Sequence, residues 1–279
     1  MNKLLISLAL LVFAPLGATQ YQQVPTPRVS PQPVPESWKD SGKGSAFLLY
    51  RTHPIKAMNQ GKAPSCVGAA AAKALELMSG RPYSAEWIYG SAREEFSFTT
   101  RAGANCAWAA HIIQHNGVLP ASAFAALGED ITDYSAVRAN NWSRGPPTLL
   151  KPIAALYKSP GYIAVRSWDT LRGAISNGYP VIVGSSVGFG PTTGQSRDAS
   201  GALRARWWSR WNHAMVFIGV SDGGRNEGAL ILNSWGDNWV GGPKRFGDEP
   251  DGSFWASRRD VEKMLAQGDS FVILPIARN

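Results

Sequence analysis

The chain has only two cysteines in 279 residues, and one of them, Cys66, opens the alanine-rich stretch "CVGAAAAKALELMS" that ends at Gly80. Strong helix formers followed by a glycine at the C′ position predict a helix that starts at this cysteine. A helix N-terminus carries partial positive charge, which favours thiolate over thiol. The position suits a nucleophile better than an inert thiol. Four histidines limit the search for its base. His111 and His115 lie four apart on one predicted helix, but "HIIQH" lacks the Glu of the zinc-protease motif and no acidic or thiol set completes a metal site. His53 stands in an irregular segment with nothing to pair it. His213 opens the apolar strand "HAMVFIGVSD", and a second buried-type strand, "ALILNSWG", delivers Asn233 with Trp235 beside it.

A lone histidine at a strand end is usually structural; the combination of residues changes the weight. A cysteine nucleophile needs a histidine to take its proton and return one to the leaving group. A side-chain amide oxygen can orient that imidazole without adding charge. Donors must also meet the oxyanion of a tetrahedral intermediate, and Gln60 with the backbone N–H of Cys66 can supply them.

The elements that must position these groups divide along the chain. The first half reads helical, with Ser84 capping "AEWIYGSAREEF" and Asn105 capping "CAWAAHIIQHN". The second half has a short helix after Ser167 and then four strands, "YPVIVGSSV", "HAMVFIGVSD", "ALILNSWG" and "DSFVILPIA", with a late helix in "SRRDVEKMLAQ". Helices first and strands second imply an α+β protein with two segregated lobes and a ligand cleft between them.

Two N-terminal segments stand outside that domain. Residues 1–19, with Lys3 ahead of an apolar run from Leu4 to Phe13, read as a signal peptide. Residues 20–43, rich in proline with glutamine and serine, read as an extended linker. The domain is then 44–279, long enough to bury a sizeable core. No later segment is long and apolar enough to span a membrane, so an exported protein, secreted or periplasmic, is expected. The net charge of +8 is scattered, apart from "RARWWSRW" at 204–211, and accompanies no nucleic-acid motif. No nucleic-acid partner is expected, and the chain is expected to act as a monomer. Cys66 and Cys106 can either pair or stay free.

With these residues in view, the sequence resembles the papain-like cysteine peptidases, which include the cathepsins. "NQGKAPSC" matches their "NQGxCGSC", with Gln60 six residues before Cys66; "NHA" at 212–214 matches the histidine motif; "NSWGDNW" at 233–239 matches "NSWGxxW". His213 follows Cys66 by 147 residues, within the separation of this family. The resemblance implies a helical left lobe presenting the cysteine and an antiparallel β right lobe presenting His and Asn. It implies Cys66 as nucleophile, His213 as acid and base, Asn233 as orienter and Gln60 as oxyanion donor, with no metal or cofactor. Trp235 would shield the His–Asn hydrogen bond and border the substrate, and the family's substrate-binding glycine pair would fall at Gly103 and Ala104. In the family a Cys–His ion pair keeps the thiol pKa low.

The sequence also departs from the pattern. The family's cysteine three positions before the nucleophile is Ala63, the next Gly is Pro64, and the Trp after the nucleophile is Val67. The proline-rich stretch is too short for the usual inhibitory prodomain, and a polar, Gly-rich insertion precedes His213. The expected partner is a protein or peptide substrate. Two alternatives are a catalytically silent protein that binds peptides and a cell-wall amidase with the same Cys–His chemistry.

Overall fold

The computed structural model describes residues 30–96, 102–124, 128–190 and 196–276, apart from the side chains of Trp207 and Trp208. The signal segment 1–19, residues 20–29 of the linker and residues 191–195 of the insertion before His213 lie outside the described residues.

The first three long helices are α1 (Cys66–Ser79), α2 (Ala85–Phe96) and α3 (Cys106–His115). Their ends follow from local chemistry. Gly80 takes φ +67° and donates its N–H to the Glu76 carbonyl at 2.8 Å, closing α1. Ser84 Oγ accepts from Trp87 N–H ahead of α2, and Asn105 Oδ1 accepts from Trp108 N–H at the start of α3. Helix α1 is buried along nearly its whole length, so its alanines and Gly68 serve close packing. A Cβ on Gly68 would stand 2.1 Å from the Ala85 carbonyl oxygen, so α1 and α2 meet backbone to backbone there. Shorter helices α4 (Ala136–Trp142) and α5 (Lys151–Ala154) and the strand pair β2 (Ala123–Phe124) and β3 (Glu129–Asp130) complete this lobe.

The other lobe is a seven-stranded antiparallel sheet. It comprises β1 (Ala46–Leu48), β4 (Tyr162–Ala164), β5 (Val181–Gly190), β6 (Arg204–Ser221), β7 (Gly228–Leu232), β8 (Ser253–Ser257) and β9 (Ser270–Ile273). The order is β4-β9-β5-β6-β7-β8, and β1 adds to β6 beside that path. Side chains alternate between two cores, as period-2 geometry requires. On β6, Ala214, Val216 and Ile218 join the core shared with α1, α2 and α3, whereas Met215, Phe217 and Val220 join the opposite core. That second core is closed by α6 (Trp168–Ser176) and α7 (Arg258–Leu265), capped by Ser167 and Ser257. The expected two-lobe α+β architecture is observed, and α1 lies against the strand that carries His213.

The structure departs from the linker reading over residues 30–43. Gln32 N–H donates to the Tyr162 carbonyl at 2.8 Å, and Trp38 is buried against Tyr179 and α6. The Arg172 guanidinium donates to the carbonyls of Ser41 and Lys39. Proline-rich composition removes backbone donors, but one tryptophan and one buried arginine from the sheet lobe suffice to dock the segment.

Candidate active site

Cys66, Gln60, His213 and Asn233 come from four separate stretches of chain and are all nearly inaccessible, with exposures of 0%, 1%, 1% and 3%. Two backbone junctions draw them together. Gln60 N–H donates to the Ser234 carbonyl at 2.8 Å, and Gly236 N–H donates to the Met58 carbonyl at 3.0 Å. The segment before Cys66 is thereby zipped to the segment after Asn233. Ser234 Oγ donates to Gln60 Oε1 at 2.5 Å, which fixes that amide, and Gln60 Nε2 donates to the Ala63 carbonyl at 2.8 Å. Local patterning gives no sign of this role for Ser234; its place in "NSWG" was the available signal.

His213 Nε2 lies 2.7 Å from Asn233 Oδ1. The same Oδ1 accepts from Ser234 N–H at 2.7 Å, so the oxygen, not the nitrogen, of the amide faces the imidazole. Nε2 therefore carries the proton, and Nδ1 holds a lone pair. Nδ1 is buried with no hydrogen-bond partner among the described residues, so the thiol–imidazole hydrogen bond is not made in this state. Trp235 stacks on the ring, centroids 4.7 Å apart at 28°, and itself packs against Trp211 and Trp239. Its indole covers the imidazole face beside the His–Asn bond.

The aim of His213 depends on an irregularity in the sheet. Ser185 pairs with His213, but the next partners are Val187 and Arg210, so three residues of β6 span the length of two in β5. At this β-bulge Asn212 takes φ +46°, the only left-handed non-glycine among the described residues. Asparagine tolerates that region better than other L-residues, and bulges commonly re-aim side chains beside reactive sites.

At α1, Ser65 makes no capping bond through its side chain. Its hydroxyl donates instead to Tyr134 Oη at 2.7 Å, because Tyr134 spends its own proton on the Gln60 carbonyl at 3.1 Å. Backbone N–H groups of Ala214, Val67 and Cys66 act on the Cys66 sulfur and favour its thiolate, but burial outweighs them and pushes the thiol up to about 11. Burial also takes the His213 imidazole down to about 4, against the opposing pull of Asn233. The resting pair is neutral thiol and neutral imidazole. The helix start favours the thiolate as expected, but desolvation is the larger effect in a closed site.

Gly103 and Ala104 are buried just ahead of α3, Gly103 at φ +98° with its carbonyl accepting from Arg93. Cys66 and Cys106 are both free thiols. The His111 and His115 rings lie 4.2 Å apart, tilted at 37°, with Glu95 3.6 Å from His111 Nε2, and among the described residues no group of three or more His, Cys, Asp or Glu is placed to hold a metal ion. No helix among the described residues is long and apolar enough to cross a membrane.

No protein-family model and no curated protein matches the chain. Solved structures do. Xylellain, a cysteine protease from Xylella fastidiosa, superposes with a TM-score of 0.66 at 19% identity, covering 94% of this chain and 98% of its own. Procathepsin B S9 from Trypanosoma congolense gives 0.62 at 11% identity, over 94% and 87% of the two chains. Digestive procathepsin L 3 from the Tenebrio molitor larval midgut gives 0.59 at 15%, over 93% and 76%. The fold is papain-like. In this papain-like frame Cys66 heads the long buried helix, His213 stands on β6 and Asn233 directly follows β7, the strand paired with β6.

Proposed function

We propose that the protein is an exported cysteine-type peptidase, an endopeptidase that hydrolyses peptide bonds through a Cys66 acyl-enzyme. The observation that carries this reading is the fixed tautomer of His213: Nε2–H held by Asn233 and a bare Nδ1 lone pair. Substrate entry would bring Cys66 Sγ and Nδ1 into contact. The thiol proton passes to Nδ1 as sulfur attacks the carbonyl carbon, and the imidazolium that forms is stabilised by Asn233 Oδ1. The oxyanion is met by Gln60 Nε2–H and the N–H of Cys66. His213 then protonates the leaving amine, and the acyl-enzyme remains. A water, deprotonated by Nδ1, attacks the thioester and releases the acid with the thiol restored. Gly103 and Ala104 would pair with the substrate backbone, and Trp235 would border the leaving-group side.

One observation favours the second reading, a papain-like protein that binds peptides without turnover: both groups are buried and His213 Nδ1 has no hydrogen-bond partner among the described residues. Turnover of casein and a quenched peptide by the full chain, with Cys66→Ala as control, separates the two. Cleavage lost in Cys66→Ala supports the peptidase. Saturable peptide binding by both proteins without cleavage supports the binder, and release of stem peptide from purified peptidoglycan in place of casein cleavage would make the protein an amidase.

A further inference from the structure

The helical lobe contains a cavity of about 500 Å³ directly behind the segment that carries Gln60, a volume within the range of small-molecule sites. Lys73 and Glu76 of α1 line it together with Asn59, Asp133 and Tyr134. The charges lining it are unequal. Lys73 Nζ is bound to Glu76 at 2.8 Å, so that cation is already answered. Glu86, a buried lining residue, accepts from Ser84, Ser135 and Arg138. Asp133 presents an exposed carboxylate with no side-chain partner among the described residues, while its backbone carbonyl accepts from Arg138. An unpaired carboxylate lining a preformed cavity that a tyrosine also lines matches an amine or guanidinium. The excess is notable in a chain whose net charge is +8.

The cavity shares its walls with the catalytic segment. Tyr134 Oη bonds both the Gln60 carbonyl and Ser65 Oγ, and Asn59 Oδ1 accepts from Gly61 N–H at 3.0 Å. Anything seated against Tyr134 and Asn59 therefore contacts residues that are hydrogen-bonded to Gln60, Gly61 and Ser65.

We propose that this cavity is a second binding site, for a small organic cation bearing an amine or guanidinium, and that its occupancy alters the setting of the Gln60–Cys66 segment. The binding half stands independently of the peptidase reading; the consequence for turnover rests on it. An occupant shifts the segment only by binding one of its arrangements more tightly than another.

Agmatine serves as the cationic probe and glutarate as the anionic control, each titrated by calorimetry into full-length Cys66→Ala. Saturable one-to-one binding of agmatine, but not glutarate, is expected. Asp133→Asn should weaken it by about tenfold, the worth of one charge-assisted hydrogen bond, and Asp133→Lys should abolish it. Asp133 is exposed, so both variants retain the fold, which thermal melting verifies. For the coupling, the rate of Cys66 alkylation by iodoacetamide is measured with and without agmatine in the wild type and in Asp133→Asn; this readout needs no turnover. A rate that changes with agmatine in the wild type only is the expected result. Absence of saturable binding, equal binding of glutarate, or unchanged binding in Asp133→Lys overturns the site. Binding with an unaltered alkylation rate overturns the coupling. If both hold while casein is untouched, the peptidase reading fails and the cation site does not.

Discussion

Helices α1 and α3 each begin with a buried cysteine, and the protein finishes the two starts differently. At α3 every early donor that matters is taken: Asn105 Oδ1 holds Trp108 N–H, while the Asp269 carboxylate accepts from Cys106 N–H at 2.8 Å and Ala107 N–H at 2.9 Å. Burial first, and the Asp269 charge second, drive the Cys106 thiol well above its ordinary range. At α1 the natural cap, Ser65, turns away to Tyr134, and the N–H groups of Cys66 and Val67 act on the sulfur. A helix N-terminus is therefore not a thiolate site by itself. Donors left facing the sulfur favour the thiolate, and at Cys66 burial opposes them and raises the thiol pKa.

The largest effect should separate the two cysteines by activity. Cys66→Ser is expected to lower kcat on a peptide substrate by about 10⁴-fold or more, as loss of a nucleophile does in comparable triads. Cys106→Ser should leave kcat unchanged. Equal losses in both variants, with the fold intact by circular dichroism, would mean that the distinction between the two helix starts has no bearing on reactivity.

The pH dependence of stability should show the cost of burying the reacting pair. His213 titrates at about 4 folded against 6.5 ordinarily, so the unfolded chain binds more protons between those values. Stability is then fully present above pH 6.5 and is lost as pH falls toward 4. The Cys66 thiol moves from 9.0 to about 11, so the folded chain binds more protons there, and stability falls as pH rises past 9. Each limb is worth on the order of 3 kcal/mol. Urea midpoints from pH 4 to 10.5 should flatten on the acid side in His213→Ala and on the alkaline side in Cys66→Ser. An acid limb that survives His213→Ala unchanged would place the titration elsewhere.

Asp269→Asn tests the saturated start. Its amide can offer an oxygen to only one of the two α3 donors, leaving the other buried and unmet. A loss of about 1–3 kcal/mol in unfolding free energy is expected, with kcat retained. No loss would show that α3 does not depend on the carboxylate that ties it to the sheet lobe.

Much of this was readable before the structure. The α1 span and its Gly80 stop, and the Ser84, Asn105, Ser167 and Ser257 starts, are local events, set by propensity and by one side chain meeting one N–H nearby. The strands of β5, β6, β7 and β9 stood out as apolar runs, whereas the three-residue β1 and β4 lacked the length to signal, and β8, as long as β7, follows the turn at Gly252 and mixes serines with its apolar residues. What stayed hidden joins distant stretches. Asp269 meets residues 162 and 163 positions earlier, Ser234 meets Gln60 across 174, and Arg172 anchors Ser41 across 131. No periodicity encodes such pairs. The burial that neutralises Cys66 and His213 is also collective, a product of both lobes closing on them, so the sequence suggested the electrostatics of an exposed helix end.

The smallest effect sharpens the comparison most directly, because it changes one hydroxyl or amide at each helix start. Asn105→Ala removes a cap in use, so α3 should lose about 1 kcal/mol and its first turn should fray. Ser65→Ala removes a hydroxyl that caps nothing; Tyr134 loses a donor, and no more than about 1 kcal/mol, the worth of one neutral hydrogen bond, should follow. Amide exchange distinguishes the two where melting temperatures cannot. Protection at Trp108 N–H should fall sharply in Asn105→Ala, since that proton bonds the deleted oxygen. Protection at Ala69 N–H should persist in Ser65→Ala, since its partner is the Ser65 backbone carbonyl at 3.0 Å, which the substitution leaves in place. Equal fraying of both helices would mean that Ser65 supports the α1 start after all and that its donors are not held open for the sulfur.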